Sequence, residues 1–241
     1  MSRNSARRQD GRRRRPLRTF AIVVVVLIGL LVAADFGARA YAQDEFASQI
    51  QSHGFPKKPD VSIQGFPFLT QVASRNFRQV NISSADIPEG PVTIKSISAV
   101  LTGIRLNSSF NGATVHQLTG SAFITFPELA RALTSRAGAL GSALGGAGLT
   151  LTAVNSSEVR ANVNLVIISG SATWRITEIG GDKIEARLVS ISGLLSSLQG
   201  SVGNIIVPIP KLPLSLTIQG LSVTPDGVDA TLSGRNLSFG G

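Results

Sequence analysis

The sequence contains no cysteine among its 241 residues. That absence excludes disulfide bonds, thiolate metal sites, a cysteine nucleophile and a lipid anchor on cysteine. Histidine is nearly absent as well, since only His53 and His116 are present, and they do not show the H-x-x-x-H or H-x-H spacing of zinc sites. The fold must therefore be held together by its core and by sheet hydrogen bonds.

Charged residues are also scarce, at 15% of the chain against about 25% in an average soluble protein. The net charge of +9 nevertheless suggests a nucleic-acid partner at first sight. Residues 1–18 hold eight arginines and one acid, whereas the rest of the chain holds 15 basic and 13 acidic residues. The excess charge belongs to the N-terminal tail, and we expect no nucleic-acid partner for the folded part.

The arginine-rich tail is followed by the apolar run Phe20–Ala34, and the first acid after that run is Asp35. A basic segment that precedes an apolar one stays in the cytoplasm, so the chain after Asp35 should be exported. We therefore assign residues 1–18 to a cytoplasmic tail and residues 19–35 to a transmembrane anchor or signal segment. The protein is expected at the outer face of the cytoplasmic membrane, or in the periplasmic space after signal cleavage.

The length of the apolar run leaves anchor and signal peptide both open. Fifteen residues make a helix of about 22 Å, short of the ~30 Å hydrocarbon core, although Arg18 can snorkel to the headgroups. Small residues that suit a signal peptidase follow at Ala38-Arg39-Ala40 and Ala40-Tyr41-Ala42. Our interpretation favours a retained anchor, with a cleaved signal as the alternative.

Residues 36–59 indicate a helical stalk and linker, because helix breakers are few until the glycine and two prolines of residues 54–59. The remainder, residues 60–241, is expected to be one domain. Alternating apolar and polar residues predict that it is mostly β. The predicted strand segments are Val61–Gln64, Phe68–Ser83, Pro91–Leu106, Gly112–Leu118, Leu149–Val154, Val159–Ser169, Ser171–Ile179, Lys183–Ile191 and the hairpin Leu212–Leu221 with Val228–Leu237.

Two internal segments favour helices. Phe126–Leu133 places proline and glutamate in its first turn and leucines on one face, and Leu194–Gln199 is a second, shorter helix. The segment Gly138–Gly148 contains five glycines and no charged residue, which indicates either a flexible loop or an apolar gate beside a pocket. The prolines of Val207–Pro213 place that segment at a sheet edge or in a crossing connection.

No sequence motif indicates catalysis. The nearest approach to G-x-S-x-G, Gly200-Ser201-Val202-Gly203, has the wrong spacing, and no Walker loop is present. A carboxylate pair of the glycosidase type is the one remaining enzymatic arrangement, with candidates Glu128, Glu158, Glu178 and Glu185. We predict a protein that is not an enzyme and has no metal or cofactor.

Apolar surface is the more informative feature. Several strands are apolar on more than one face, and such a sheet either encloses a greasy cavity or packs on itself. If a cavity exists, we expect its walls to include the aromatic cluster of the first strands and the predicted helix. The candidate lipid-binding residues are Phe66, Phe68, Phe77, Phe126, Leu129 and Leu133.

Two segments resemble one family. Gly65-Phe66-Pro67-Phe68-Leu69-Thr70-Gln71 followed by Phe77-Arg78-Gln79-Val80, and the closing hairpin around Thr224-Pro225-Asp226-Gly227, are similar to the LmeA-like phospholipid-binding proteins of actinobacterial envelopes. The resemblance implies an α+β, mostly β fold in which a curved antiparallel sheet wraps around a helix, as in bactericidal/permeability-increasing-type lipid-binding domains.

The implied function is phospholipid binding in the cell envelope, with inositol phospholipids among the ligands, with lipid transfer as an extension, and in support of lipoglycan assembly. The membrane is the second implied partner. Two alternatives remain: an anchored scaffold that binds no lipid, and a glycolipid hydrolase. On the lipid-binding hypothesis, a charge at Leu129 or Leu133 weakens lipid binding more than it weakens folding.

Overall fold

The computed structural model describes residues 15–52, 55–89, 92–136, 148–164, 169–181, 183–193, 204–208 and 216–240. These residues form three helices and eleven strands. In chain order they are α1 Arg15–Ser52, β1 Asp60–Gln64, α2 Phe68–Ser74, β2 Asn76–Glu89, β3 Val92–Leu106, β4 Ala113–Thr125, α3 Phe126–Arg136, β5 Leu149–Asn155, β6 Glu158–Asn164, β7 Ser169–Ile179, β8 Lys183–Gly193, β9 Ile205–Pro208, β10 Thr217–Thr224 and β11 Gly227–Phe239.

Helix α1 runs without a break from the apolar run into the folded domain. Its part before Asp35 spans about 30 Å, the thickness of a bilayer core, and its large apolar side chains there are exposed. The helix is long and apolar enough to cross a membrane. A signal sequence near the N-terminus meets the same criteria of length and composition. The predicted N-terminal apolar helix is thus confirmed. Beyond Asp35, the side chains of Ala38 and Ala42 pack on the core of the larger sheet.

The larger sheet has six antiparallel strands in the order β1-β2-β3-β4-β11-β10. Its four central strands are 13 to 15 residues long, because β3 and β4 alternate apolar residues with serine and threonine over their whole length. One row of paired residues on its apolar face shows the register: Ile63, Val80, Leu101, Leu118 and Gly234 lie side by side on five strands. The expectation of a mostly β, antiparallel fold is confirmed.

Helix α2 corrects the strand predicted over Phe68–Ser83. Residues 68–74 are helical, and the strand begins only at Asn76. The β-forming side chains Phe68 and Val72 pack on the core and on α1, so tertiary contacts override the local preference. The buried side chain of Gln71 bridges the joint, since it donates to the Gln64 carbonyl and accepts from the Arg78 amide.

The strands of the larger sheet change phase along one line. Inward residues are spaced by three instead of two at Leu101 and Ile104, and at Val115 and Leu118. Gly103 lies between Leu101 and Ile104, and Asn236 precedes Leu237, the register partner of Val115. Their φ values are +64° and +51°. Such left-handed residues are typical of β-bulges, which bend a strand and re-aim its side chains. Because of this change of phase, the apolar side chains before and after the bend lie on the same face of the sheet.

The smaller sheet has the strand order β5-β6-β7-β8-β9 and contacts the larger sheet through β10 and α3. Helix α3 starts at Phe126, as predicted, and lies between the two sheets. Strand β10 ties them together, because the amides of Ile218 and Val223 donate to the carbonyls of Gly181 and Ser156. The arginine tail before Arg15, most of the glycine run and the predicted helix Leu194–Gln199 lie outside the described residues.

Candidate functional site

Four of the six candidate residues belong to two hydrophobic clusters at opposite ends of the larger sheet, whereas Phe66 and Leu133 belong to neither. Phe68 and Phe77 belong to the first, which we call the helix-end cluster, and Phe126 and Leu129 belong to the second, the inter-sheet cluster. The buried members of the helix-end cluster are Ile63, Phe68, Val80, Leu101, Ile104, Val115, Leu118 and Leu237. Those of the inter-sheet cluster are Phe126, Val159, Val223 and Val228.

The three candidates near α2 have different environments. Phe68 is buried and its ring lies 6.1 Å from that of Phe77. Phe66 is 58% exposed, and its ring stacks on Phe36 of α1 at 6.1 Å. Phe68 and Phe77 therefore serve the core, whereas Phe66 lies on the surface beside the apolar helix.

The three candidates at α3 also differ in how deeply they are buried. Phe126 is buried and Leu129 packs against the inter-sheet cluster, while Leu133 is 51% exposed. Helix α3 is held by Glu128, which accepts a hydrogen bond from the Thr93 amide at 2.9 Å and pairs with Arg131. Leu129 thus joins the two sheets, and Leu133 does not.

We expect Leu129→Ala to lower the free energy of unfolding by about 2 kcal/mol, because it removes apolar contacts between the sheets. Leu133→Ala, one helical turn away, should change it by less than about 0.5 kcal/mol, since its side chain is half exposed. Chemical denaturation of both variants measures the difference. Equal losses would contradict the assignment of Leu129 to the junction.

Between the two clusters, the same face of the larger sheet carries small and partly exposed residues. Alternation from Leu118 to Ile124 on β4 places Gly120 and Ala122 on this face. Their register partners on β3 and β11 complete a strip that we call the trough, about 7 Å long along the strands and about 10 Å wide across the three strands. Its residues, each neither fully buried nor fully exposed, are Ile97, Ala99, Gly120, Ala122, Ala230 and Leu232.

The sequence-based search missed the trough because it looked for large side chains. The trough consists largely of small ones, and Gly120 allows a close approach of β3, because a Cβ there would lie 3.1 Å from the Ser98 carbonyl oxygen. A signal was nevertheless present, since Ala99, Gly120 and Ala122 alternate with the serines of the opposite face. Four small residues side by side on paired strands indicate a depression rather than a packed layer.

Two buried polar atoms lack a hydrogen-bond partner among the described residues. Ser84 lies next to Ile97 at one side of the trough, and its Oγ is buried and unpartnered. The indole Nε1 of Trp174, on the smaller sheet beside Val159, is also buried and has no hydrogen-bond partner among the described residues. Buried polar groups are normally paired, so each atom is a candidate contact for a polar group of a ligand.

The four carboxylates considered for hydrolysis each have a local partner. Glu128 pairs with Arg131, Glu185 with Arg187, and Glu178 accepts from the Gly181 amide. The hydrogen bond from Arg175 holds the pKa of Glu158 below its ordinary value. A glycosidase general acid needs a raised pKa, so Glu158 is unsuited to that role.

Other parts of the described structure are less suited to an apolar ligand. An open cleft of about 340 Å³ lies between α1 and β1, but Asp44, Lys58 and Asp60 line it. Among the described residues, no three His, Asp or Glu side chains are grouped to hold a metal ion. The trough is therefore the strongest candidate for a binding surface.

A comparison with protein-family models gives one match, which covers residues 33–233 and is described as LmeA-like phospholipid-binding. The match begins inside α1, two residues before Asp35, and so includes the part of the helix that packs on the sheet. Neither curated proteins nor solved structures give a significant match.

Proposed function

Because the chain belongs to the LmeA-like phospholipid-binding family, we propose that it holds phospholipid acyl chains in the trough. The family supports phospholipid binding, and its description names no catalytic activity. The observation that carries the location is the strip of small, partly exposed residues between two packed clusters.

The physical driving force is burial of methylene groups, worth about 0.8 kcal/mol for each CH₂ removed from water. The trough offers no charge, so nothing in it opposes an acyl chain. Ser84 Oγ and Trp174 Nε1 add donors for ester or phosphate oxygens, which would satisfy both buried atoms. Binding of this kind needs no chemical step.

We also propose that α1 is retained as a membrane anchor. The buried carboxylate of Asp35 accepts hydrogen bonds from the amides of Phe68 and Leu69, at 2.9 and 2.7 Å. Cleavage after Ala40 or Ala42 would remove this carboxylate and the packed side chain of Ala38. Retention places the domain at the outer face of the cytoplasmic membrane. There, a phospholipid carrier can supply lipoglycan assembly, with inositol phospholipid among its ligands, the role that the family resemblance implies.

The proposal is tested by native mass spectrometry of the full chain, purified in detergent from an envelope-producing host and then extracted with organic solvent. We expect a phospholipid in defined stoichiometry with the protein. A bare protein mass, unchanged after incubation with phospholipid vesicles, would contradict lipid binding and favour an anchored scaffold. The identity of the extracted lipid tests the inositol part of the proposal separately.

A further inference from the structure

Contacts between α1 and the segments after it show which end of the larger sheet lies toward the apolar half of the helix. Asp35 contacts the start of α2, Gln43 accepts from the Ile63 amide, and Asp44 pairs with Lys58. Residues later in α1 thus contact residues earlier in β1, so β1 returns toward the apolar half of the helix. The strand ends beside α2 therefore lie on the side where α1 becomes apolar. We call this side the basal end, and its segments are residues 35–42, 65–79, 102–117 and 234–240.

The basal end exposes large apolar side chains. Phe36, Phe66, Leu69 and Phe110 are between 42% and 58% exposed. Phe36 and Phe66 continue the apolar surface of α1 onto the domain, because they stack on each other where the helix meets α2. Exposed apolar groups that adjoin a membrane-crossing helix are suited to the interface of the same membrane.

Phe110 is the most informative of the four. It lies in the turn between β3 and β4 with φ at +57°, a left-handed conformation that disfavours bulky side chains. The turn is already closed by Asn107, whose backbone and side chain bond to Gly112 and Asn111. Because the ring of Phe110 is 56% exposed and its backbone is strained, burial within the domain does not account for a phenylalanine at this position.

The charges at the basal end are one-sided. Its segments contain the exposed or partly exposed arginines Arg39, Arg75, Arg78, Arg105 and Arg235, and a single acid, Asp35. Asp35 is buried and engaged with α2, and none of the five arginines forms an ion pair within the described residues. A net positive surface around exposed apolar groups attracts anionic lipid headgroups.

We propose that the basal end rests in the headgroup layer of an anionic phospholipid leaflet, with Phe66, Leu69 and Phe110 inserted and the arginines around them. The inference rests on retention of α1, as part of the proposed function. Continuity with the apolar helix and the positive charge both favour a lipid surface over a protein partner. The domain then stands upright on the bilayer, with the smaller sheet farthest from it.

Absence of cysteine permits a direct test with single labelling sites in the full chain. Phe110→Cys and Val189→Cys each receive a nitroxide spin label. Val189 is the control, since it is 48% exposed but lies on β8 of the smaller sheet, outside the basal end. Both proteins are reconstituted in vesicles of phosphatidylglycerol and phosphatidylcholine. We expect the Phe110 label to collide more with oxygen than with a water-soluble nickel complex, and the Val189 label to show the reverse. Equal nickel accessibility at the two sites would overturn the proposal.

A second arm tests the charges and the role of Phe110. In the labelled protein, Arg75→Gln with Arg105→Gln should raise nickel accessibility at residue 110 at least twofold in the anionic vesicles. In phosphatidylcholine alone the two substitutions should have no effect. Phe110→Gly in the unlabelled chain should leave the melting temperature unchanged or higher, and a fall would indicate a structural role instead. If phospholipid still co-purifies while the label reports water, the docking proposal alone is wrong.

Discussion

Substitution of Asp35 by alanine is expected to lower the free energy of unfolding by about 3 kcal/mol, a large fraction of the stability of an ordinary domain. The carboxylate is 4% exposed and accepts two backbone hydrogen bonds at the first turn of α2. Its removal leaves the buried Phe68 amide and the part-buried Leu69 amide without this acceptor, and a buried unpaired amide carries the cost of desolvation. Chemical denaturation in detergent micelles, followed by circular dichroism, measures the loss.

Asp44→Ala is the matched control, because it removes an exposed carboxylate from the same helix. Asp44 pairs with Lys58 at 2.6 Å, but its side chain is 73% exposed, and exposed pairs contribute between about 0 and 1 kcal/mol. Similar losses for Asp35→Ala and Asp44→Ala would mean that Asp35 does not hold α2 on the anchor helix.

The second large effect is expected from Ala122→Phe, which fills the trough from the middle of β4. The phenyl ring would occupy the space that we assign to an acyl chain, so the lipid-bound fraction should fall at least tenfold. The neighbouring Ser121→Phe adds the same ring to the opposite face of the strand, where Ser121 shares a hydrogen bond with Ser98. Native mass spectrometry of both variants, with circular dichroism to verify folding, gives the comparison.

Lipid retained by Ala122→Phe at the level of the unmodified protein would place the ligand elsewhere. Loss in both variants would indicate damage to the sheet rather than obstruction of a site. Only selective loss from Ala122→Phe supports the trough.

The sequence was sufficient where local pattern and tertiary contacts agree. The alternation in Val92–Leu106 gave β3, the proline and glutamate after Phe126 gave the start of α3, and Pro225-Asp226 gave the turn between β10 and β11. It was insufficient at α2, where packing of Phe68 and Val72 and the carboxylate of Asp35, 33 residues before Phe68, stabilise a helix. No local window contains that contact.

The position of the candidate surface could not be predicted from the sequence. Phe66, Phe68 and Phe77 were chosen together because they are aromatic and close in sequence, yet Phe66 is on the surface and Phe68 in the core. The trough depends on register, which places Ala99, Gly120, Leu232 and Ala122 side by side across three strands. Pairing between distant segments is set by the whole fold, so composition alone does not reveal a depression.

The contact between Gln43 and Ile63 has one more consequence. Strand β1 is the outermost strand of the larger sheet, and the Ile63 amide that Gln43 accepts from points away from β2. An uncovered outer strand is a template on which a second chain can add, the first step of aggregation. Helix α1 lies along that edge and therefore covers a surface on which a second chain could otherwise add.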